Sequence, residues 1–156
     1  MNRVKKQLLY LAIWEFAALF TFVFLYISLN LALNLGMASF IAFSYLILIL
    51  LQGSIYWFYR YLLIMKKERF GLKAINFIRF LRWLNIIILV VISGLIPFVK
   101  SSNKDLIIAI AVFLFGIIEY INYYWYRLSY GRSGFNIRIL LNTRLQKSSI
   151  GKLINK

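Results

Sequence analysis

Two glutamates, Glu15 and Glu119, could carry chemistry because each lies inside a long apolar segment of the chain. A charged side chain at the centre of a membrane helix costs about 2.5–3.5 kcal/mol on insertion scales, so an acid at such a position is a functional candidate. Two carboxylates close together in a low dielectric cannot both ionise freely, and such a pair can share a proton or bind a cation. The structural alternative is that polar neighbours bind the two acids and fix the register of the helices.

Glu15 and Glu119 are predicted to lie at the same depth. Glu15 follows Lys6 by nine residues and Glu119 precedes Arg127 by eight. At 1.5 Å per helical residue, both acids then lie roughly 12–14 Å inside one membrane boundary. Amide and tyrosine side chains fall near the same height, and those of the fourth segment share one helical face with Glu119. They complete a predicted buried polar layer, whose other members are Gln52, Asn85, Asn122, Tyr123 and Tyr126.

The composition indicates an integral membrane protein and argues against an enzyme. The 156 residues are 63% hydrophobic, against about 45–50% in soluble domains. The chain contains no cysteine and no histidine, which excludes thiol and imidazole nucleophiles and the usual zinc ligands. Only four residues are acidic, so a catalytic carboxylate pair or a hard-metal site would have to be built from very few side chains. We therefore predict no enzymatic activity, no metal and no cofactor.

Four apolar segments are long enough to cross the membrane, and they cover about residues 7–31, 37–59, 81–99 and 105–126. Crossing a ~30 Å hydrocarbon core takes about 20 helical residues. Since backbone amides have no water to bind there, each segment is predicted to be helical. The predicted fold is an all-α polytopic membrane protein: a four-helix transmembrane bundle over residues 1–130, short amphipathic cytoplasmic helices, and a basic tail over residues 131–156.

The basic residues are distributed very unevenly between the two sides of the predicted bundle. Seventeen of the 19 lysines and arginines fall in the N-terminal segment, the middle loop or the C-terminal segment, and the exceptions are Lys100 and Lys104 in the third loop. Cytoplasmic segments of membrane proteins carry such an excess of positive charge. The sequence therefore predicts a plasma (inner) membrane protein with both termini and the middle loop in the cytoplasm.

Two basic segments are predicted to form the cytoplasmic surface. Residues 66–82 alternate cations and apolar residues at helical spacing, which predicts an amphipathic helix in the headgroup plane that leads into the third span. The C-terminal segment mixes cations with leucine and isoleucine, and it contains no acid. The residues predicted to bind lipid or a partner are Lys66, Lys67, Arg69, Lys73, Arg79, Arg82, Arg132, Arg138, Arg144, Lys147 and Lys152.

Anionic lipid of the cytoplasmic leaflet is the first ligand predicted for this basic surface, because each cation near it contributes about 1 kcal/mol. A cytoplasmic protein partner is the second prediction. Nucleic acid is disfavoured, because the tail has few aromatic residues on which bases could stack. These interactions predict a multi-pass accessory or effector protein that acts through helix contacts and its basic cytoplasmic face.

The alternative function is a small proton- or cation-coupled transporter, or an oligomeric channel, that uses Glu15 and Glu119. Four helices of this size enclose no obvious pore, so conduction would require a homo-oligomer. Four spans with a glutamate in the first resemble the small multidrug-resistance transporters, and that resemblance implies a transport role for Glu15. It is confined to Glu15 and the number of helices. The charge bias and the basic tail differ from that family, so we assign the chain to no family.

Overall fold

In the part of the chain that the structure describes, the fold consists of four long antiparallel helices and one short helix near the C-terminus. The computed structural model describes residues 3–127 and 146–154. The helices are α1 (Arg3–Leu33), α2 (Met37–Lys66), α3 (Leu72–Val99), α4 (Asn103–Tyr124) and α5 (Ser149–Ile154). The first four are each long and apolar enough to cross a membrane. The predicted all-α, four-helix transmembrane bundle is confirmed.

Three of the four helices extend beyond the apolar segments at their basic ends. α1 begins at Arg3, α2 continues to Lys66 and α3 begins at Leu72, whereas the apolar segments there were bounded at residues 7, 59 and 81. Hydropathy locates the part of a helix that suits lipid, but helical hydrogen bonding propagates into the polar boundary as well. α2 ends where Lys67 takes a left-handed conformation, with φ of 60°.

The predicted amphipathic helix over residues 66–82 is not a separate element. Residues 67–71 form the turn after α2, and residues 72–82 are the first part of α3, which is one helix to Val99. Gly71 lies at the N-cap of α3, and glycine interrupts helices readily. Residues 72–82 are helical, as their periodicity predicted, but no break separates them from the third span.

α2 is the central helix of the bundle. About 56% of its apolar window is buried inside the protein, against 6% for α1. Ala38, Ala42, Leu46 and Ile49 on α2 have no exposed surface, and α2 packs against α1, α3 and α4. α1 and α3 lie further from the core and direct large apolar side chains such as Phe24 and Phe98 outward.

The loops of the two helical hairpins are joined at one end of the bundle by Asp105. Its Oδ1 accepts hydrogen bonds from the amides of Gly36 and Ser39, both at 3.0 Å, and from Ser39 Oγ at 2.6 Å. Its Oδ2 accepts from the Ser101 amide at 3.1 Å. Since orphan amides at a helix start need acceptors, this carboxylate both caps α2 and fixes α2 against the start of α4.

At the opposite end, the described part of the C-terminal segment packs against the bundle. Tyr126 and Lys147 form an isolated antiparallel bridge, and the Ser148 amide donates to Trp125 O at 3.0 Å. In α5, Ile150 and Ile154 are buried against the helices. The tail was predicted as a basic lipid-binding segment, yet residues 148–154 contribute to the core of the protein.

Candidate functional site

The predicted polar layer is divided into two separate groups. Glu15, Glu119, Asn122 and Tyr123 lie between α1 and α4. The second group is formed by Gln52 and Asn85, which lie between α2, α3 and α4 and are joined there by Tyr124. The sequence located both groups at one level but could not divide them, because the division depends on how the helices are rotated.

Each of the two acids accepts a hydrogen bond from a side chain of α4. The Tyr123 hydroxyl donates a hydrogen bond to Glu15 Oε2, and Asn122 Nδ2 donates to Glu119 Oε2 at 3.3 Å. The Glu119 carboxylate is close enough to Glu15 for the two to interact electrostatically. Both carboxylates are half-buried. Both donors therefore belong to α4: Asn122 binds Glu119 of the same helix, and Tyr123 binds Glu15 of α1.

Gly53 on α2 makes room for this group. A Cβ atom at Gly53 would lie 2.6 Å from Cζ of the Tyr123 ring and 2.9 Å from its hydroxyl oxygen. Such a contact is shorter than van der Waals packing allows, so any larger residue would displace the ring. The absence of a side chain at Gly53 thus positions Tyr123 toward Glu15, a dependence that is not visible in the sequence.

The second group joins α2, α3 and α4 through hydrogen bonds. Gln52 Oε1 accepts hydrogen bonds from Asn85 Nδ2 and from the Tyr124 hydroxyl, both at 2.8 Å. Asn85 has no exposed surface, and its Nδ2 also donates to Leu81 O at 2.7 Å. Buried polar groups of this kind are stable only when they are bonded to one another. The sequence prediction omitted Tyr124 because it faces away from the stripe that begins at Glu119.

Tyr126 is not part of the polar layer. α4 ends at Tyr124, so the helical spacing that placed Tyr126 below Glu119 no longer applies. Its side chain is 38% exposed, and its backbone forms the bridge to Lys147. The prediction for this residue was wrong because it extended the fourth helix two residues too far.

A cavity of about 350 Å³ opens at the basic end of the bundle. Leu8 and Leu11 of α1 and Trp57 of α2 form its apolar wall. Its polar lining comes from α1, α2, α4 and the C-terminal segment: Glu15, Arg60, Asn122, Tyr123, Arg127, Gln146, Lys147, Ser148, Ser149 and Lys152. The cavity thus joins the half-buried Glu15 to a group of four cations.

Arg60 and Arg127, two of these cations, were not among the predicted site residues. Arg60 donates to Ser149 Oγ and, at 3.4 Å, to the Tyr56 hydroxyl, and its guanidinium lies 5.7 Å from the centre of the Trp57 ring. These contacts tie α2 to α5. A signal was present in the sequence, since Arg60 and Arg127 end the apolar segments of α2 and α4 at one boundary.

The predicted lipid- or partner-binding cations differ in exposure. Lys66, Lys67, Arg69 and Lys73 are exposed around the α2–α3 turn, and Lys147 and Lys152 are exposed on the C-terminal segment. Arg79 is also exposed, and it donates to Ile154 O at 3.3 Å.

Arg82 is the exception among the predicted binding cations that the structure describes. It is half-buried, and its guanidinium lies 3.8 Å from the centre of the Trp125 ring. This stacking joins α3 to the end of α4 and makes Arg82 a packing residue. Arg132, Arg138 and Arg144 lie outside the described residues.

Asp105 is the carboxylate that sequence reasoning missed. It was treated only as the start of the fourth span, although it is the one acid in residues 3–127 with no exposed surface. The pattern Ser102-Asn103-Lys104-Asp105 is a helix-start signal, and Ser102 Oγ does accept from the Asp105 amide at 3.1 Å. Within residues 3–127 and 146–154, no three acidic side chains are close enough together to hold a metal ion.

No family model, no curated protein and no solved structure matches this chain significantly.

Proposed function

We propose that the protein is a multi-pass accessory protein of the plasma membrane, with both termini in the cytoplasm, that binds anionic lipid at its basic end and acts through helix contacts. The observation that carries this proposal is the one-sided distribution of exposed cations. Lys66, Lys67, Arg69 and Lys73 lie together at the α2–α3 turn, and Glu68 is the only acid among them. The opposite end carries Lys100 and Lys104.

Lipid is favoured over a protein partner by the position of these cations. They lie at the end of one apolar helix of membrane-spanning length, in the turn after it or at the start of the next such helix. We therefore expect their charges to lie at the level of the headgroups. Each cation near an anionic leaflet contributes about 1 kcal/mol. A cytoplasmic protein with an acidic surface is the other ligand that fits this end of the bundle.

Charge reversal at each end of the bundle tests the proposal. We expect the purified protein to retain anionic over zwitterionic lipid when extracted from mixed vesicles, with the enrichment decreasing as salt increases. Lys66→Glu combined with Lys67→Glu should abolish most of that enrichment. Lys100→Glu combined with Lys104→Glu is the matched control, because it makes the same change of charge at the other end. Equal losses in the two variants would contradict the proposal.

A second candidate function is transport of protons or cations through Glu15 and Glu119. It is supported by the contact between Tyr123 and Glu15 and by the electrostatic interaction of the two acids across α1 and α4. Both carboxylates are half-buried within apolar helices, which is where coupling acids of small transporters lie. Conduction along this path would require a second copy of the chain to complete it.

Flux measurements separate the two candidates. In proteoliposomes, transport predicts a proton or cation flux that Glu15→Gln and Glu119→Gln abolish while the melting temperature in detergent is retained. The accessory function predicts no flux in the wild-type protein or in either variant, although lipid enrichment persists in all three. A flux that survives both substitutions would exclude these acids as the coupling site.

A further inference from the structure

The cavity at the basic end combines opposite charges at different depths. Along α1 it is lined first by Leu8 and Leu11 and then by Glu15. Seven residues separate Leu8 from Glu15, so at 1.5 Å per residue the carboxylate lies roughly 10 Å further into the bundle. Arg127 lies beyond the end of α4, and Lys147 and Lys152 belong to the C-terminal segment. The cations therefore surround the mouth and the carboxylate lies at the inner end.

The cations come from three separate parts of the fold. Arg60 belongs to α2, Arg127 follows α4, and Lys147 and Lys152 lie on either side of Ser149 in the C-terminal segment. Their convergence depends on the packing of α5 against the bundle. Cations that lie close together favour the binding of an anion between them. A phosphate group suits such a cluster, because guanidinium and ammonium groups donate several charge-assisted hydrogen bonds to its oxygens.

Glu15 restricts which phosphate-bearing ligand can fit. An ionised carboxylate at the inner end repels a bare anion but accepts hydrogen bonds from hydroxyl or ammonium groups. Within the described chain, Tyr123 is the only donor bonded to Glu15, which leaves its other oxygen able to accept from a ligand. The apolar wall of Leu8, Leu11 and Trp57 suits the carbon skeleton between two such polar groups.

We propose that this cavity binds one phosphodiester headgroup, with its phosphate between the cations at the mouth and a hydroxyl or ammonium group of the headgroup at Glu15. The inference rests on the proposed lipid-binding function and adds a single saturable site to it. Phosphatidylglycerol has this chemistry, whereas phosphatidic acid has the phosphate without the additional donor. A soluble glycerophosphodiester carries the same polar groups without acyl chains.

The site also bears on the transport candidate. Four cations line the same cavity as Glu15, so a cation that approached the carboxylate from this side would first meet a positive potential. The charges that line the cavity favour a ligand whose anionic group stays at the mouth and whose neutral or positive end extends to Glu15. Glu15 then selects among headgroups.

Titration of the full chain in detergent with dihexanoylphosphatidylglycerol tests the site, with bound lipid counted by native mass spectrometry. We expect saturable binding of one molecule per chain. Arg60→Gln and Lys152→Gln should each weaken it by roughly tenfold, the usual effect of losing one charge-assisted hydrogen bond. The Lys152 side chain is exposed, so Lys152→Gln remains informative if loss of the Arg60 contact to Ser149 disturbs α5. Lys66→Gln is the matched control at the same end but outside the cavity.

Glu15→Gln gives a signature that a merely structural role would not produce. The substitution removes the negative charge, so binding of dihexanoylphosphatidylglycerol should weaken by roughly tenfold while binding of dihexanoylphosphatidic acid strengthens. A change of both affinities in the same direction would overturn the role assigned to Glu15. Glycerophosphoglycerol, which has the same polar groups without acyl chains, distinguishes a soluble ligand from a lipid. If it binds as tightly as the lipid, the ligand is a soluble phosphodiester. If it binds much more weakly, the ligand is the lipid.

The failures of the two proposals are distinguishable. If Lys66→Gln weakens binding as much as Lys152→Gln does, or if binding never saturates at one molecule, the cavity site is refuted while general lipid binding by the basic end stands. If anionic lipid is neither bound nor enriched, the proposed function fails as well.

Discussion

Asp105 is fully buried at the end of the bundle opposite the cavity, and it accepts four hydrogen bonds. One comes from Gly36 before α2, two come from Ser39 in the first turn of α2, and one comes from Ser101 in the α3–α4 loop. Three of the donors are backbone amides, and these would be left without this acceptor if the Asp105 carboxylate were removed. A buried donor without a partner costs about 1–3 kcal/mol. The stability of this end of the protein therefore depends on one side chain, which holds the α1–α2 and α3–α4 loops together.

Asp105→Ala should lower the free energy of unfolding by about 2–4 kcal/mol, because it leaves these donors unsatisfied. Asp105→Asn should cost less, because an amide oxygen can still accept from Gly36 and Ser39 while only the bond from the Ser101 amide is lost. Melting temperatures in detergent should decrease in the order wild type, Asp105→Asn, Asp105→Ala. Equal stability of wild type and Asp105→Ala would show that these bonds contribute nothing.

Gly53 is the residue on which the position of Tyr123 depends. Gly53→Ala should displace the Tyr123 ring from Glu15 and destabilise the protein by about 1–3 kcal/mol relative to Gly94→Ala, through overpacking. Gly94 is the matched control, because it also lies inside a helix but has no atom within 4 Å of the added Cβ. Detergent melting of the two variants checks the difference, and equal melting temperatures would show that the ring moves without cost.

At the scale of elements, α5 does not have the length to be stable alone. Helices shorter than about 12–15 residues are marginal in water, and α5 has six residues. Its stability must come from contacts: Ile150 and Ile154 are buried in the main core cluster, and Ser149 accepts a hydrogen bond from Arg60. The docking of α5 brings Lys147 and Lys152 to the cavity, so it is a condition of the proposed headgroup site.

Ile150→Asp should undock α5, because the substitution removes about 2–5 kcal/mol of side-chain burial and places a charge at that position. We expect faster amide hydrogen exchange in residues 146–154 with unchanged exchange in α2 and α4. Lys152→Asp serves as the control, since it introduces the same side chain at an exposed position of the same helix. Exchange that is unaffected by Ile150→Asp would mean that α5 is held by other contacts.

At the scale of the whole molecule, the bundle has two chemically different ends. One end consists of the loops joined by Asp105 and carries Lys100 and Lys104. The other consists of the starts of α1 and α3, the ends of α2 and α4, and the C-terminal segment with its cations. Because successive helices are antiparallel, the starts of α1 and α3 lie at the same end as the ends of α2 and α4. The excess of positive charge at that end predicts that it remains in the cytoplasm.

Cysteine labelling tests the predicted orientation, and the absence of native cysteine makes single-site variants simple to interpret. In intact spheroplasts, Lys104→Cys should react with an impermeant maleimide. Lys67→Cys should react only after permeabilisation. Both positions are exposed, so neither depends on unfolding for access. The reverse pattern would place the basic end outside and would remove the basis for lipid binding at the cytoplasmic leaflet.

The residues that the sequence located correctly are those whose position follows from distance along a helix. Depth within the membrane depends only on residue number and rise per residue, so the common level of Glu15 and Glu119 was predictable. Rotation about the helix axis depends on packing, and this is why Tyr124 was missed. The end of α4 depends on the contact with the C-terminal segment, and this is why Tyr126 was misplaced.

The amino-acid sequence by itself determined that this chain is an all-α membrane protein with four spans, because apolar composition and length act locally along each segment. It also assigned 17 of the 19 cations to one end of the bundle, since that follows from counting spans. Only the tertiary structure decided that Asp105 joins two loops and that α5 brings cations to the cavity above Glu15. Those contacts join residues far apart in sequence. They depend on the rotation of each helix about its axis, which packing decides and the sequence pattern did not predict.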